Sequence, residues 1–110
     1  MSAKHRQLTV ELSHVESQLR TLSLWSDRAP SPAALASRQP FAVDTLAFEE
    51  WLQFIFLPRM QHLAETGSPL PVDCAVAPMA EECFRHHPAD VGELVARLAA
   101  IDRLLTVPLV

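Results

Sequence analysis

Residues 44–66 read DTLAFEEWLQFIFLPRMQHLAET, and the spacing of their apolar side chains decides the fold class. At 100° per residue from Phe48, the positions of Trp51, Leu52, Ile55, Phe56 and Leu63 fall within about 80° of one another's mean, which is the stripe of a helix packed on a core. Asp44 can accept orphan amide protons as an N-cap, and Glu49 and Glu50 sit early, where the helix dipole favours negative charge. The stretch predicts a helix over 45–64, kinked near Phe54 to Pro58, because Pro58 removes one amide and its ring strikes the preceding turn. Glu65 to Pro69, with Gly67 between, stops it.

Working outward, Leu8, Leu12, Val15, Leu19 and Leu22 recur in steps of four and three, with Glu11, His14, Glu16 and Arg20 between them. That pattern predicts an amphipathic helix over 4–24 with the charged residues in solvent. A Ser-, Ala- and Pro-rich passage follows, and Pro30 and Pro32 prevent a helix from crossing it, so 26–43 reads as a long loop. Within it, Ser31-Pro32 can open a short helical turn through Ala36. Beyond Pro69 the chain predicts a short helix over 78–86. A last helix, 88–105, is marked by Val91, Leu94, Val95, Leu98, Ile101 and Leu105, with Pro88 or the pair Asp90 and Glu93 at its start. No period-two strand occurs. The expectation is one all-α domain over 1–110, a four-helix bundle.

The charge balance narrows the partners. Thirteen acidic residues against nine Lys and Arg leave a net charge of -4, which repels a nucleic-acid backbone on average. The longest near-apolar run, Trp51 to Leu57, meets Arg59 too soon to cross a membrane. The first nine residues have no apolar core of a secretory leader, and two cysteines, Cys74 and Cys83, suit reduced thiols. These features lead to the expectation of a cytoplasmic protein with no direct nucleic-acid or membrane partner.

For chemistry the chain offers little. Its only glycines, Gly67 and Gly92, form neither a phosphate cradle nor a nucleophile elbow. Glu49-Glu50 and Glu81-Glu82 are adjacent helix positions that point apart, so neither pair suits acid–base work. Cys83 and His86 share a helix face and could join Cys74, His87 or His62 around zinc, but two close-spaced ligand pairs are lacking. The reading is no enzyme, no metal and no cofactor. Arg59 falls at about 20° on the wheel, inside the core sector, where a guanidinium needs a partner such as Asp102, Glu81 or Glu82. It is either a structural ion pair or a binding anchor. Phe54, Leu57 and Met60 project to the other side, where they are either buried under the 26–43 loop or form a surplus apolar surface for a protein partner or self-association.

Several motifs occur in order: Gln39-Pro40-Phe41, Asp44-Thr45, Glu50-Trp51-Leu52-Gln53, Leu57-Pro58-Arg59-Met60, Pro69-Leu70-Pro71 and Ala75-Val76-Ala77-Pro78. Together they resemble the YqcC-like family of small bacterial proteins. The resemblance implies a compact helical bundle and a protein of unknown function, with no catalytic residues to carry over. Its genes sometimes lie beside that of a tRNA pseudouridine synthase.

Gln39, Phe41, Asp44, Trp51, Phe54, Leu57, Arg59 and Met60 are the candidate binding residues. The expectation is that loop 39–44 folds onto helix 45–64 near Trp51 and Arg59 and forms a cleft. The resulting function is a non-enzymatic binding or adaptor module. The alternatives are a small-molecule or anion binder anchored by Arg59, and an accessory protein to a tRNA-modifying enzyme.

Overall fold

The computed structural model describes residues 3–71 and 74–106. Its first helix, α1 (Ala3–Thr21), buries Leu8, Leu12, Val15 and Leu19, as the step pattern requires. It also buries Glu11, which the sequence places among the solvent-facing charges. Arg97 of the last helix lies 3.8 Å from one Glu11 carboxylate oxygen, and Gln7 donates to that oxygen at 3.3 Å. An ion pair across two packed helices thus takes the place of a solvated surface charge.

The expected end of α1 at residue 24 moves back to Thr21 because Ser23 adopts a left-handed backbone, φ 61°. The Leu24 amide then donates to the Leu19 carbonyl at 2.8 Å. This six-to-one bond closes a Schellman turn, which normally uses glycine. Gly67, φ 65°, closes the second long helix in the same way, with the Ser68 amide donating to the Leu63 carbonyl at 3.1 Å.

Between them, the long loop carries two local turns: α2 (Pro32–Leu35), capped by the Ser31 hydroxyl, and a 3-10 turn at Pro40–Ala42. Next comes one continuous helical rod in three parts: α3 (Phe48–Trp51), a π-helical turn (Leu52–Phe56) and α4 (Leu57–Thr66). The Leu57 amide donates to the Leu52 carbonyl, five residues back. The expected kink is thus realised as a wider turn, which makes room where the Pro58 ring would strike the Phe54 carbonyl.

α5 (Val76–Cys83) starts two residues before the expected Pro78 because Asp102 supplies a cap from another helix. Its two carboxylate oxygens accept the Val76 amide at 2.9 Å and the Ala77 amide at 2.8 Å. Pro78 falls in the first turn, where its missing amide costs nothing. The last helix, α6 (Gly92–Thr106), starts later than residue 88. Pro88 belongs to a turn in which His87 Nδ1 accepts the Ala89 amide and Asp90 accepts the Gly92 amide.

α1 lies against α6 and α4, and α5 packs on α6. The shared core runs from Leu8, Leu12 and Leu19 through Leu52, Phe56 and Leu57 to Leu94, Leu98, Ile101 and Leu105. The fold is all-α, and no strand occurs among the described residues.

Candidate functional site

The site is built where the long loop meets the helical rod. Gln53, buried beneath the loop, holds it by two bonds to the backbone of Ser26: its Oε1 accepts the Ser26 amide at 2.7 Å and its Nε2 donates to the Ser26 carbonyl at 2.8 Å. Further along, the Thr45 hydroxyl donates to the Ala34 carbonyl at 2.7 Å, and the Ser37 hydroxyl donates to Asp44. Asp44 is therefore a loop staple and not the expected N-cap. Ala47 occupies the cap position, and Glu50 Oε1 accepts its amide at 2.9 Å, so the helix starts at Phe48 instead of residue 45.

Phe41 and Ala42 follow one another in the left-handed region, with φ of 57° and 50°. Each such residue costs about 1–2 kcal/mol when it is not glycine. The conformation lays the Phe41 ring edge-on to Trp51, with centroids 4.8 Å apart. Trp51 stacks on Phe48 at 5.7 Å, and Phe48 meets Phe84 edge-on at 5.6 Å, so the aromatic contacts extend from the loop to α5. Each well-oriented pair adds about 0.5–1.5 kcal/mol beyond area burial, which offsets the backbone strain.

Loop and rod enclose a groove of about 540 Å³. Gln39, Phe41, Trp51, Phe54 and Arg59, five of the residues singled out from the sequence, line it together with Leu35, Ser37 and Ile55. Asp44 reaches it only through Ser37. Leu57 and Met60 do not line it: they are 2% and 5% exposed and belong to the core. The surplus apolar surface expected of them is absent.

Arg59 corrects the sequence reading in the same way. It is exposed, not directed inward, and makes no ion pair with any described residue. Two of the acids expected to meet it are occupied elsewhere, Asp102 on the α5 amides and Glu82 on Arg85. The cause is the π-helical turn. One extra residue in a turn rotates everything after it by about 100° relative to an α-helical wheel. That rotation carries Arg59 out of the core sector and brings Leu57, Met60 and Ala64 into it.

The cysteines lie away from the groove. Burial, then a hydrogen bond to the Asp102 carboxylate and its charge, push the Cys74 thiol up to about 12. Cys83 is exposed and also raised, by desolvation first and then by the charges of Glu49 and Glu82. Neither is poised as a thiolate. Among the described residues no three His, Cys, Asp or Glu side chains group as a metal site requires. No helix among them is long and apolar enough to cross a membrane.

Sequence reasoning missed the contributions of Leu35, Ser37, Ala42 and Ile55 to the groove. The signal for the first two was present in Ser31-Pro32, which starts the turn that presents them.

Comparison with known proteins agrees with this architecture. The DUF446 family model, described as tRNA pseudouridine synthase C, matches residues 7–104. An uncharacterised protein of Haemophilus influenzae is 37% identical over 98 residues, covering 89% of this chain and 92% of that protein. The uncharacterised protein YqcC of Escherichia coli is 34% identical over 100 residues, covering 91% and 92%. A tRNA pseudouridine synthase C of Pectobacterium carotovorum is 38% identical over 69 residues, which are 63% of this chain and only 18% of that protein. The solution NMR structure of E. coli YqcC superposes with a TM-score of 0.83 at 34% identity, covering 96% of this chain and 90% of that one. With a family model that matches most of its length, relatives 34–37% identical over about nine-tenths of it and a shared all-helical fold, the chain belongs to the YqcC-like family.

Proposed function

We propose that this protein is a non-enzymatic adaptor that binds a protein partner through the rod 48–66 and the loop before it, and that the partner is a tRNA pseudouridine synthase. The observation that carries the choice of partner is the Pectobacterium relative. There a stretch similar to this chain is part of one polypeptide named tRNA pseudouridine synthase C, most of which lies outside the match. Two activities joined in one chain in one organism commonly meet as separate chains in another, because the link replaces an encounter by a high effective concentration.

The groove supports a binding role over a catalytic one. It holds no carboxylate, imidazole or thiol among its lining residues, so nothing there can take up or release a proton near neutral pH. Its walls set Phe41, Trp51, Phe54 and Ile55 beside the polar side chains of Ser37, Gln39 and Arg59, a mixed lining that offers a partner both packing and hydrogen bonds. The chain's negative balance fits contact with the enzyme better than contact with tRNA.

Calorimetric titration of the purified chain with the tRNA pseudouridine synthase C of the same organism tests this. Saturable binding, with a Kd of about 1 μM or tighter, is the expected result. No heat and no comigration in gel filtration would refute it.

A further inference from the structure

The groove has a distribution of polar groups that narrows what it can hold. Among the described residues Arg59 is the only charged side chain that lines it, and its guanidinium meets no carboxylate of theirs. The Gln39 side chain lines it too, exposed and without a hydrogen bond to any described residue, whereas the Ser37 hydroxyl is already committed to Asp44. Phe41, Trp51 and Phe54 are each half-buried, so each keeps an apolar face that packing has not consumed. A single cation at the edge of an aromatic wall, beside a free amide, asks for one anion joined to one apolar group.

We infer that the groove takes an acidic-apolar linear segment of the protein partner. An aliphatic or aromatic side chain of the segment lies against Phe41, Trp51 and Phe54, a neighbouring Asp or Glu pairs with Arg59, and the Gln39 amide hydrogen-bonds the segment's backbone. This rests on the reading that the chain binds a protein partner.

Charge complementarity favours this occupant over a polyanion. A nucleic-acid strand or a polyphosphate needs several donors, and the lining offers one guanidinium, no lysine and no helix N-terminus. Asp44, one bond behind the wall, and the net charge of -4 repel repeated negative charge. One carboxylate on a peptide meets neither obstacle. Guanidinium and carboxylate pair in a two-pronged geometry that also fixes the direction of the bound segment.

The test uses overlapping 15-residue peptides spanning the same organism's tRNA pseudouridine synthase C, arrayed and probed with the full-length chain. The expected result is a small set of bound peptides, each with an Asp or Glu within a few residues of an apolar or aromatic side chain. Arg59→Glu should weaken binding of those peptides, and of the intact synthase, by about tenfold, because it replaces attraction by repulsion. Arg103→Glu, on the exposed face of α6, should leave both unchanged. Arg59 is exposed and pairs with no described residue, so the variant's thermal melt should match that of the parent and exclude misfolding as the cause. If the intact synthase binds but the captured peptides are basic or purely apolar, or Arg59→Glu binds as well as the parent, this inference falls and the adaptor reading stands. If the intact synthase does not bind at all, both fall. A change in the chain's own sedimentation on Arg59→Glu would make the groove a self-interface, and stabilisation by inorganic phosphate or nucleotides that Arg59→Glu abolishes would make it a small-anion site; either overturns the proposal.

Discussion

The side-chain amide of Gln53 and the backbone of Ser26 are bonded in both directions, at 2.7 and 2.8 Å, across 27 residues of sequence. These bonds hold the N-terminal end of the loop on the helical rod. Gln53→Leu keeps the volume but leaves the part-buried Ser26 amide and carbonyl without partners. A loss of about 2 kcal/mol is expected, read from urea unfolding, with faster hydrogen exchange at Ser26 than in the parent.

The two Schellman turns invite a matched pair of substitutions. Ser23 holds a left-handed backbone that glycine adopts freely, so Ser23→Gly should gain about 0.5–1 kcal/mol. Gly67→Ala should lose about 1 kcal/mol. An added Cβ at Gly67 would meet nothing within 4 Å, so the cost there is that of the backbone alone. Thermal melts should move in opposite directions, by about 3–8 °C each.

Stability should fall on the alkaline side. The Cys74 thiol of the folded chain keeps its proton up to about 12, whereas the ordinary value is 9.0. The unfolded chain therefore loses a proton first as pH rises. Stability present below about pH 9 is then lost progressively towards pH 12. Cys83 is raised as well and acts in the same direction. The sequence has no tyrosine and a single lysine, so few other groups titrate in that window. Urea midpoints at about pH 8 and about pH 10.5 should differ for the parent and differ less for Cys74→Ala.

Helix type and order were legible because Leu8, Leu12, Val15 and Leu19, and likewise Leu94, Leu98, Ile101 and Leu105, keep a helical period that only burial explains. The helix ends were less legible. Ser23 ends α1 in a conformation that its residue type disfavours, and Asp102 starts α5 from 26 residues away in sequence. Such caps leave no local trace. For the candidate site, the contact of Phe41 with Trp51 followed from the expected loop docking. The outward turn of Arg59 did not follow from it. A wheel assumes 3.6 residues in every turn, and the assumption fails at Leu52–Phe56, where Pro58 makes a wider turn favourable.

That wider turn offsets the two halves of one helix against each other. Before it, Trp51 and Ile55 line the groove while Phe48 and Leu52 join the core; after it, Leu57, Met60 and Ala64 enter the core while Arg59 lines the groove. Because the π-helical turn sets the offset between the halves, a substitution that restored α-helical geometry there would carry Arg59 back towards the core and Met60 out of it. The arginine that lines the groove and the packing of the second half are thus set together by one local departure from α-helical geometry.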